Sequence, residues 1–187
     1  MWKIKNFKIQ PSKPVIVEGL LGCMIILNKN QVNYENLKSR KELKGFREQT
    51  KRHITIVSGT TLEKIEKCLS KFSASKRKKK VAELKNLLKS LKWQYVQKDI
   101  YFINQKTYFE NPKILEHRKS YIRAIEMPDI NIFYRKLNIL LKTHVAIQFP
   151  HITLFTKGEH PDREYFGIPI QSKTEFKKLH PKKLKIK

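Results

Sequence analysis

One short pattern occurs twice in this chain and limits its fold more than any other feature. His53-Ile54-Thr55-Ile56 is matched, near the far end of the 187 residues, by His151-Ile152-Thr153-Leu154. Each copy belongs to a β-branched and aromatic run, 53–58 or 151–156, that leads to a glycine, Gly59 or Gly158. Runs of this composition closed by turn residues predict short strands. Side chains on a strand alternate between faces, so each copy sets an imidazole and a hydroxyl side by side and turns its aliphatic residues the other way. Two such strands in one small protein predict a composite site with a core behind it.

The rest of the chain supplies elements to hold the two strands. Residues 1–18, interrupted by Pro11 and Pro14, read as an extended N-terminal arm or edge strand, and 19–27 as a buried strand. Residues 31–52 are charged and irregular, with room for a short helix around 34–43. Thr60 or Thr61 is the expected cap of a helix whose Leu62, Ile65, Leu69 and Phe72 keep helical spacing. Ser73 or Ser75 opens a second helix, with Val81, Leu84, Leu87, Leu88 and Leu91 on its apolar face. Residues 93–96 and 100–103 predict two short strands joined by a turn at Lys98-Asp99, and 114–125 fit helix and strand alike. Met127-Pro128 breaks what precedes it, and Asp129 is the expected cap of a helix carrying Ile130, Phe133, Tyr134, Leu137, Leu140 and Leu141. Residues 162–170 end as an edge strand, held to the periphery by Pro169, and 177–187 form a frayed basic tail. With no Gly/Ser-rich linker, the order predicts one α+β domain spanning 1–187.

Charge bears on partners rather than on fold. Lys and Arg number 41 against 16 Asp and Glu, a formal net charge of +25. A surplus of that size is the footprint of a phosphate or nucleic-acid partner, and a lysine-favouring codon bias accounts for it equally well. The run Lys76–Lys80 offers a place for an RNA backbone, but the solvated face of a helix is the better reading, since no aromatic residue interleaves it. Cys23 and Cys68 are too few for a disulfide scaffold and lack metal-ligand spacing, which leaves two reduced thiols. Met1–Lys8 mixes charge with apolar residues, unlike a signal peptide, and the longest apolar run, 20–27, is too short to span a membrane. The expectation is a cytoplasmic monomer with no membrane contact.

The doubled motif resembles the 2H (two-histidine) phosphoesterase superfamily, which includes RNA 2′-5′ ligase-like proteins and cyclic phosphodiesterases. Both His-x-Thr-hydrophobic tetrapeptides are complete, Pro150 before His151 adds to the likeness, and the layout extends from about Gly19 to Ile170. The resemblance implies an α+β fold of two pseudo-symmetric lobes, with antiparallel sheets lining a central cleft and helices outside. It also implies a phosphodiester or nucleotide substrate.

Two imidazoles flanking one phosphodiester can divide the work of base and acid, because an unperturbed pKa near 6.5 lets one ring be neutral while another is charged. His53 and His151 are therefore the candidate catalytic pair, in an order the sequence leaves open. Thr55 and Thr153 are placed to donate hydrogen bonds to the non-bridging oxygens, where charge builds. Lys157, after the second motif, and Arg52, before the first, are candidate cations. Tyr165, or its neighbour Phe166, is a candidate for stacking on a base, and Lys157 and Tyr165 are the substrate-binding choices. No His/Cys/Asp cluster has metal spacing, so neither a metal nor another cofactor is expected. The activity this predicts is metal-independent hydrolysis of phosphodiesters at RNA ends or in nucleotides, at a 2′,3′-cyclic phosphate or a 2′-5′ linkage. The alternatives are an enzyme that opens cyclic oligonucleotides and an RNA-binding module whose histidines do not catalyse, the latter favoured by the +25 charge.

Overall fold

The two motif strands form where the alternation predicts them, each in a different antiparallel sheet. A computed structural model describes residues 15–16, 23–28, 31–32, 34–38, 40–109, 114–160 and 166–185. The smaller sheet runs in the order β1 (Val15–Ile16), β2 (Cys23–Leu27), β4 (Arg52–Val57). The larger runs β3 (Arg47–Glu48), β7 (His151–Lys157), β6 (Ile114–Glu126), β5 (Val96–Phe109), β8 (Lys182–Lys183). Helices α1 (Glu35–Lys38), α2 (Gly59–Leu69), α3 (Ala74–Ser90), α4 (Pro128–Leu141) and α5 (Lys173–Lys178) complete an α+β protein whose strands all pair antiparallel.

What positions the site is the passage from β3 to β4. Strand β3 pairs with β7, and the Gln49 N–H extends that ladder by donating to the Leu154 carbonyl at 2.8 Å. The chain then turns through 49–51 and enters the other sheet as β4, paired with β2. The motif strands β4 and β7 consequently lie against each other without a ladder between them. Their aliphatic faces, Ile54 and Ile56 with Ile152 and Leu154, enter one core with side chains of α2, α3 and α4. Each such residue contributes about 1.5–3 kcal/mol through burial, and Tyr134 secures the contact by donating to the Ile56 carbonyl at 2.9 Å. A second, smaller core of Ile103, Ile122, Ile168 and Ile170 forms around the segment 166–170.

Several expectations need correction. The first long helix is capped by Ser58, whose Oγ accepts from the Thr61 N–H, not by Thr60 or Thr61. Helix α4 begins at Pro128, whose missing N–H costs nothing at the first helical position, so Asp129 lies inside the first turn. The supposed turn at Lys98-Asp99 is an irregularity within one long strand, β5, with both side chains turned out into ion pairs with Glu126 and Lys183. Residues 114–126 are strand: the polar Glu116, Arg118 and Ser120 are buried along with Tyr121, Ile122 and Ile125, which disguises the alternation. Residues 166–170 make no ladder; they form a strap whose backbone bonds to side chains. The tail is ordered through Lys185, as α5 and β8. The first part of the predicted strand 19–27, at 19–22, and most of the N-terminal arm lie outside the described residues. Lys76, Arg77, Lys78 and Lys79 are exposed on α3, while Lys80 donates to the Leu140 carbonyl at 2.6 Å and lies 4.6 Å over the Phe72 ring.

Candidate active site

Strand alternation delivers the motif side chains to one side of each strand. On β4, His53 is exposed and Thr55 half-buried between the buried Ile54 and Ile56; on β7, His151 and Thr153 are half-buried on either side of Ile152.

Both rings are held in the same manner. His151 Nδ1 lies 2.9 Å from the carbonyl oxygen of Phe149. A carbonyl only accepts, so Nδ1 carries the hydrogen and Nε2 is left for a ligand. His53 is bonded to the main chain of Lys51, and that bond favours the charged ring, as a carbonyl acceptor does. In each motif the anchor is therefore two residues upstream of the histidine. Phe149 also stacks on the His151 ring (centroids 5.9 Å, 21° between planes) and on Phe176 of α5 (4.2 Å, 13°). A reciprocal cap fixes α5: Ser172 Oγ accepts from the Glu175 N–H at 3.1 Å, while the Glu175 carboxylate accepts from the Gln171 N–H at 2.6 Å.

Electrostatics separate the two rings. Burial pushes His151 down to about 4, the Phe149 carbonyl opposes this, and a charge on His53 lowers it further. Burial also lowers His53, against the bond to Lys51, although one edge of its ring reaches solvent. A charge on His53 is thus within electrostatic reach of the His151 ring. Both are neutral near pH 7 when nothing is bound.

A cavity of about 180 Å³ opens between the two motifs, lined by Gln49, Lys51, His53, Thr153, Gly167, Ile168 and Pro169. It is smaller than the roughly 300–1,000 Å³ of most ligand pockets, room for a phosphodiester group but not for a whole nucleotide. The strap closes one side. Gly167 sits so near Thr153 that a Cβ there would lie 3.0 Å from the threonine Oγ1 and 3.3 Å from its Cγ2. Four side chains anchor the strap: Arg118 donates to the Phe166 carbonyl, Ser120 Oγ accepts from the Ile168 N–H at 3.3 Å, Gln148 Nε2 donates to the Ile170 carbonyl at 2.5 Å, and Gln171 Nε2 reaches Thr60 Oγ1 at 3.3 Å. Arg118 is itself held in a fully buried ion pair with Glu116, at 2.8 Å through Nε.

Not every candidate converges on this cavity. His53 and Thr153 line it; His151 and Thr55 are not among the lining residues, although a charge on His53 reaches the His151 ring. Arg52 points inward instead: it is buried, its guanidinium lies 4.2 Å over the Tyr34 ring, and it donates to Glu48 at 2.5 Å. Lys157 is exposed at the end of β7 with its ammonium against Gly45. Simple alternation would put it on the His151 face, but β7 has one extra residue opposite the Tyr121–Ile122 step. Such a bulge flips every side chain beyond it. Tyr165 lies outside the described residues, and its neighbour Phe166 is 47% exposed at the start of the strap. Lys51 and Gln49, which the sequence does not single out, are the residues that line the cavity from the first motif's side. The signal for Lys51 is its place two residues before His53, where its carbonyl orients the ring. Gln49 Nε2 donates to Thr156 Oγ1 at 2.9 Å.

Cys23 is buried, with its thiol pushed up to about 12, and Cys68 bonds Thr143 at 3.3 Å. Among the described residues no three His, Cys, Asp or Glu side chains gather as metal ligands, and no helix is long and apolar enough to cross a membrane. No protein-family model matches the chain, and no curated protein or solved structure gives a significant match to it.

Proposed function

We propose that this chain is a metal-independent phosphodiesterase of the two-histidine type, acting on RNA ends or nucleotides at a 2′,3′-cyclic phosphate or 2′-5′ linkage. In this reading β4 and β7 are the motif strands of two pseudo-symmetric lobes. The observation that carries it is the matched anchoring of the two motif histidines. Each ring is bonded to the main chain two residues upstream, and the two strands lie side by side with one cavity between them.

The roles follow from the unequal environments. A phosphodiester anion beside an imidazole favours its charged form. His53, which reaches solvent, takes up that proton, and its charge in turn keeps the more deeply depressed His151 neutral. His151 is then the base that removes a proton from the attacking water. As the new P–O bond forms and the bond to the ester oxygen breaks, His53 protonates the departing oxygen. Thr153 donates to a non-bridging oxygen, and Lys51 offsets its charge from the rim.

The test is hydrolysis of 2′,3′-cyclic nucleotides, 2′-5′ oligoadenylate, RNA with a cyclic end, and cyclic di- and trinucleotides, all with EDTA present. Turnover of the first three with a bell-shaped pH profile is expected. Cleavage of the cyclic oligonucleotides alone would move the enzyme to that substrate class. Turnover that disappears in EDTA and returns with a divalent metal, or that survives His53→Ala together with His151→Ala, would refute the mechanism.

A further inference from the structure

The long β5–β6 hairpin carries a surface that the cleft does not use. Cross-strand register sets Tyr108 opposite Leu115, Lys106 opposite His117 and Asn104 opposite Lys119, with Lys157 of β7 next to Lys119. Directly opposed residues of an antiparallel pair project from the same face. Alternation therefore gathers Tyr108, Lys106, Lys119 and Lys157 on one face, whereas Arg118 and Ser120 lie on the other, beneath the strap. The β7 bulge that removes Lys157 from the cleft is what brings it into this row.

Two features separate the row from an ordinary solvated face. Tyr108 and Leu115 are 53% and 61% exposed, an apolar pair turned to solvent on a protein otherwise rich in lysine. Lys106 and Lys157 are exposed, Lys119 is partly so, and none of the three has a carboxylate within ion-pair distance among the described residues. The acid nearby is Glu159, which accepts from the His117 main-chain N–H at 3.0 Å. From Tyr108 to Lys157 the row spans about 16 Å on the diagonal, at roughly 3.3 Å per residue and 4.8 Å between strands.

We propose that this face binds single-stranded RNA, with a base stacked on Tyr108 and successive phosphates held by Lys106, Lys119 and Lys157. An exposed aromatic ring beside uncompensated cations is the pairing that single-strand binding requires: the ring takes any base, and the cations follow the backbone. An open sheet face also suits a splayed strand better than a duplex, whose bases are already stacked. The surface is on the opposite face of the sheet from His151 and does not depend on the histidines' chemistry.

Fluorescence anisotropy with a labelled oligouridylate, titrated over a series of salt concentrations, tests it. Replacing Lys106, Lys119 and Lys157 together by Ala should flatten the slope of log affinity against log salt by about 2, at about 0.7 per lost phosphate contact on a single strand. Tyr108→Ala should weaken binding about 5- to 150-fold, the range for one lost base stack, and Tyr108→Phe should restore it. The triple lysine variant and Tyr108→Ala should turn over a 2′,3′-cyclic nucleotide, too short to reach the row, as the unaltered protein does, which separates this surface from the cleft. Far-UV circular dichroism of each variant confirms that the hairpin is folded. Affinity and slope unchanged in the triple variant and in Tyr108→Ala would overturn the proposal. So would loss of binding to phosphatidylserine vesicles in these variants with no oligouridylate binding by the parent protein, which would make the face a membrane contact.

Discussion

Replacing His151 by Gln tests the electrostatics of the cleft without any substrate. The folded protein holds this imidazole at about 4, against 6.5 for a solvated ring, mainly because burial disfavours its charged form. Between those values the unfolded chain takes up a proton that the folded one refuses, so stability falls as pH falls. The neutral ring is accommodated without penalty above pH 6.5. The loss grows as the pH drops towards 4, where it saturates. At 1.36 kcal/mol for each factor of ten in the proton equilibrium, the full loss is about 3 kcal/mol. Glutamine keeps a donor for the Phe149 carbonyl and cannot titrate, so it lacks this dependence. Urea unfolding of both proteins from pH 7 to about pH 4 measures the effect. The carboxylates titrate alike in the two, and their contribution cancels in the difference. The parent protein should lose about 3 kcal/mol more than His151→Gln over this window. Two stability curves that stay parallel would mean that the ring is solvated, and the assignment of His151 as the neutral base would fall with them.

His53→Ala should lower kcat by about 10²–10⁴, the usual worth of a general acid, and should also raise KM in steady-state assays on a 2′,3′-cyclic nucleotide, because the charge that the bound anion draws onto this ring is lost with it. Lys51→Ala should raise KM about 10- to 100-fold and spare kcat, because it removes a charged contact while leaving the carbonyl that orients His53 in place. Gly167→Ala brings a methyl group to 3.0 Å from Thr153 Oγ1; kcat should fall several-fold with little change in melting temperature, since a threonine moved by a fraction of an ångström is misaligned but still packed. Gly158→Ala is the converse: its Cβ would lie 2.5 Å from Arg118 Nη2, so the buried Arg118–Glu116 pair must shift, at about 1–3 kcal/mol, and thermal melts should move down by several degrees.

What could be read from the sequence follows how local its cause is. The motif strands, the two long helices after the first motif and the aliphatic core behind His53 and His151 all declare themselves by spacing. Positions set by tertiary partners do not. Glu116 and Arg118 look like surface residues, and are buried as an ion pair that holds the strap. The pattern of β6 is thus inverted, and strand and helix fit it equally. Lys157 follows the alternation of its own strand until a bulge, visible only in the pairing with β6, turns it to the other face. Arg52 beside His53 suggests a cleft cation, but alternation sends it into the protein, where Tyr34 and Glu48 receive it. Lys51 is the opposite case: an unremarkable lysine by composition, brought to the cavity because the chain must turn there between the two sheets.

The distribution of charge also bears on how the cleft would work. A net charge of +25 would suggest a site crowded with cations, yet Lys51 is the one cationic side chain among the described residues that line the cavity. The exposed lysines of α3 and of the hairpin row lie elsewhere, where they would raise the local concentration of an anionic partner by long-range attraction. That division suits a two-histidine site. Several fixed cations beside the rings would push both pKa values down still further and would go on competing for the phosphate after it bound, leaving neither imidazole able to hold a proton. With one lysine at the rim, the anion itself becomes the largest new charge in the cleft. Its arrival charges the more accessible His53, and the charge on His53 opposes a second proton on His151. In the proposed mechanism the asymmetry of acid and base would therefore be produced by substrate binding acting on two unequally buried rings, and the free protein would need no permanently charged histidine to prepare it.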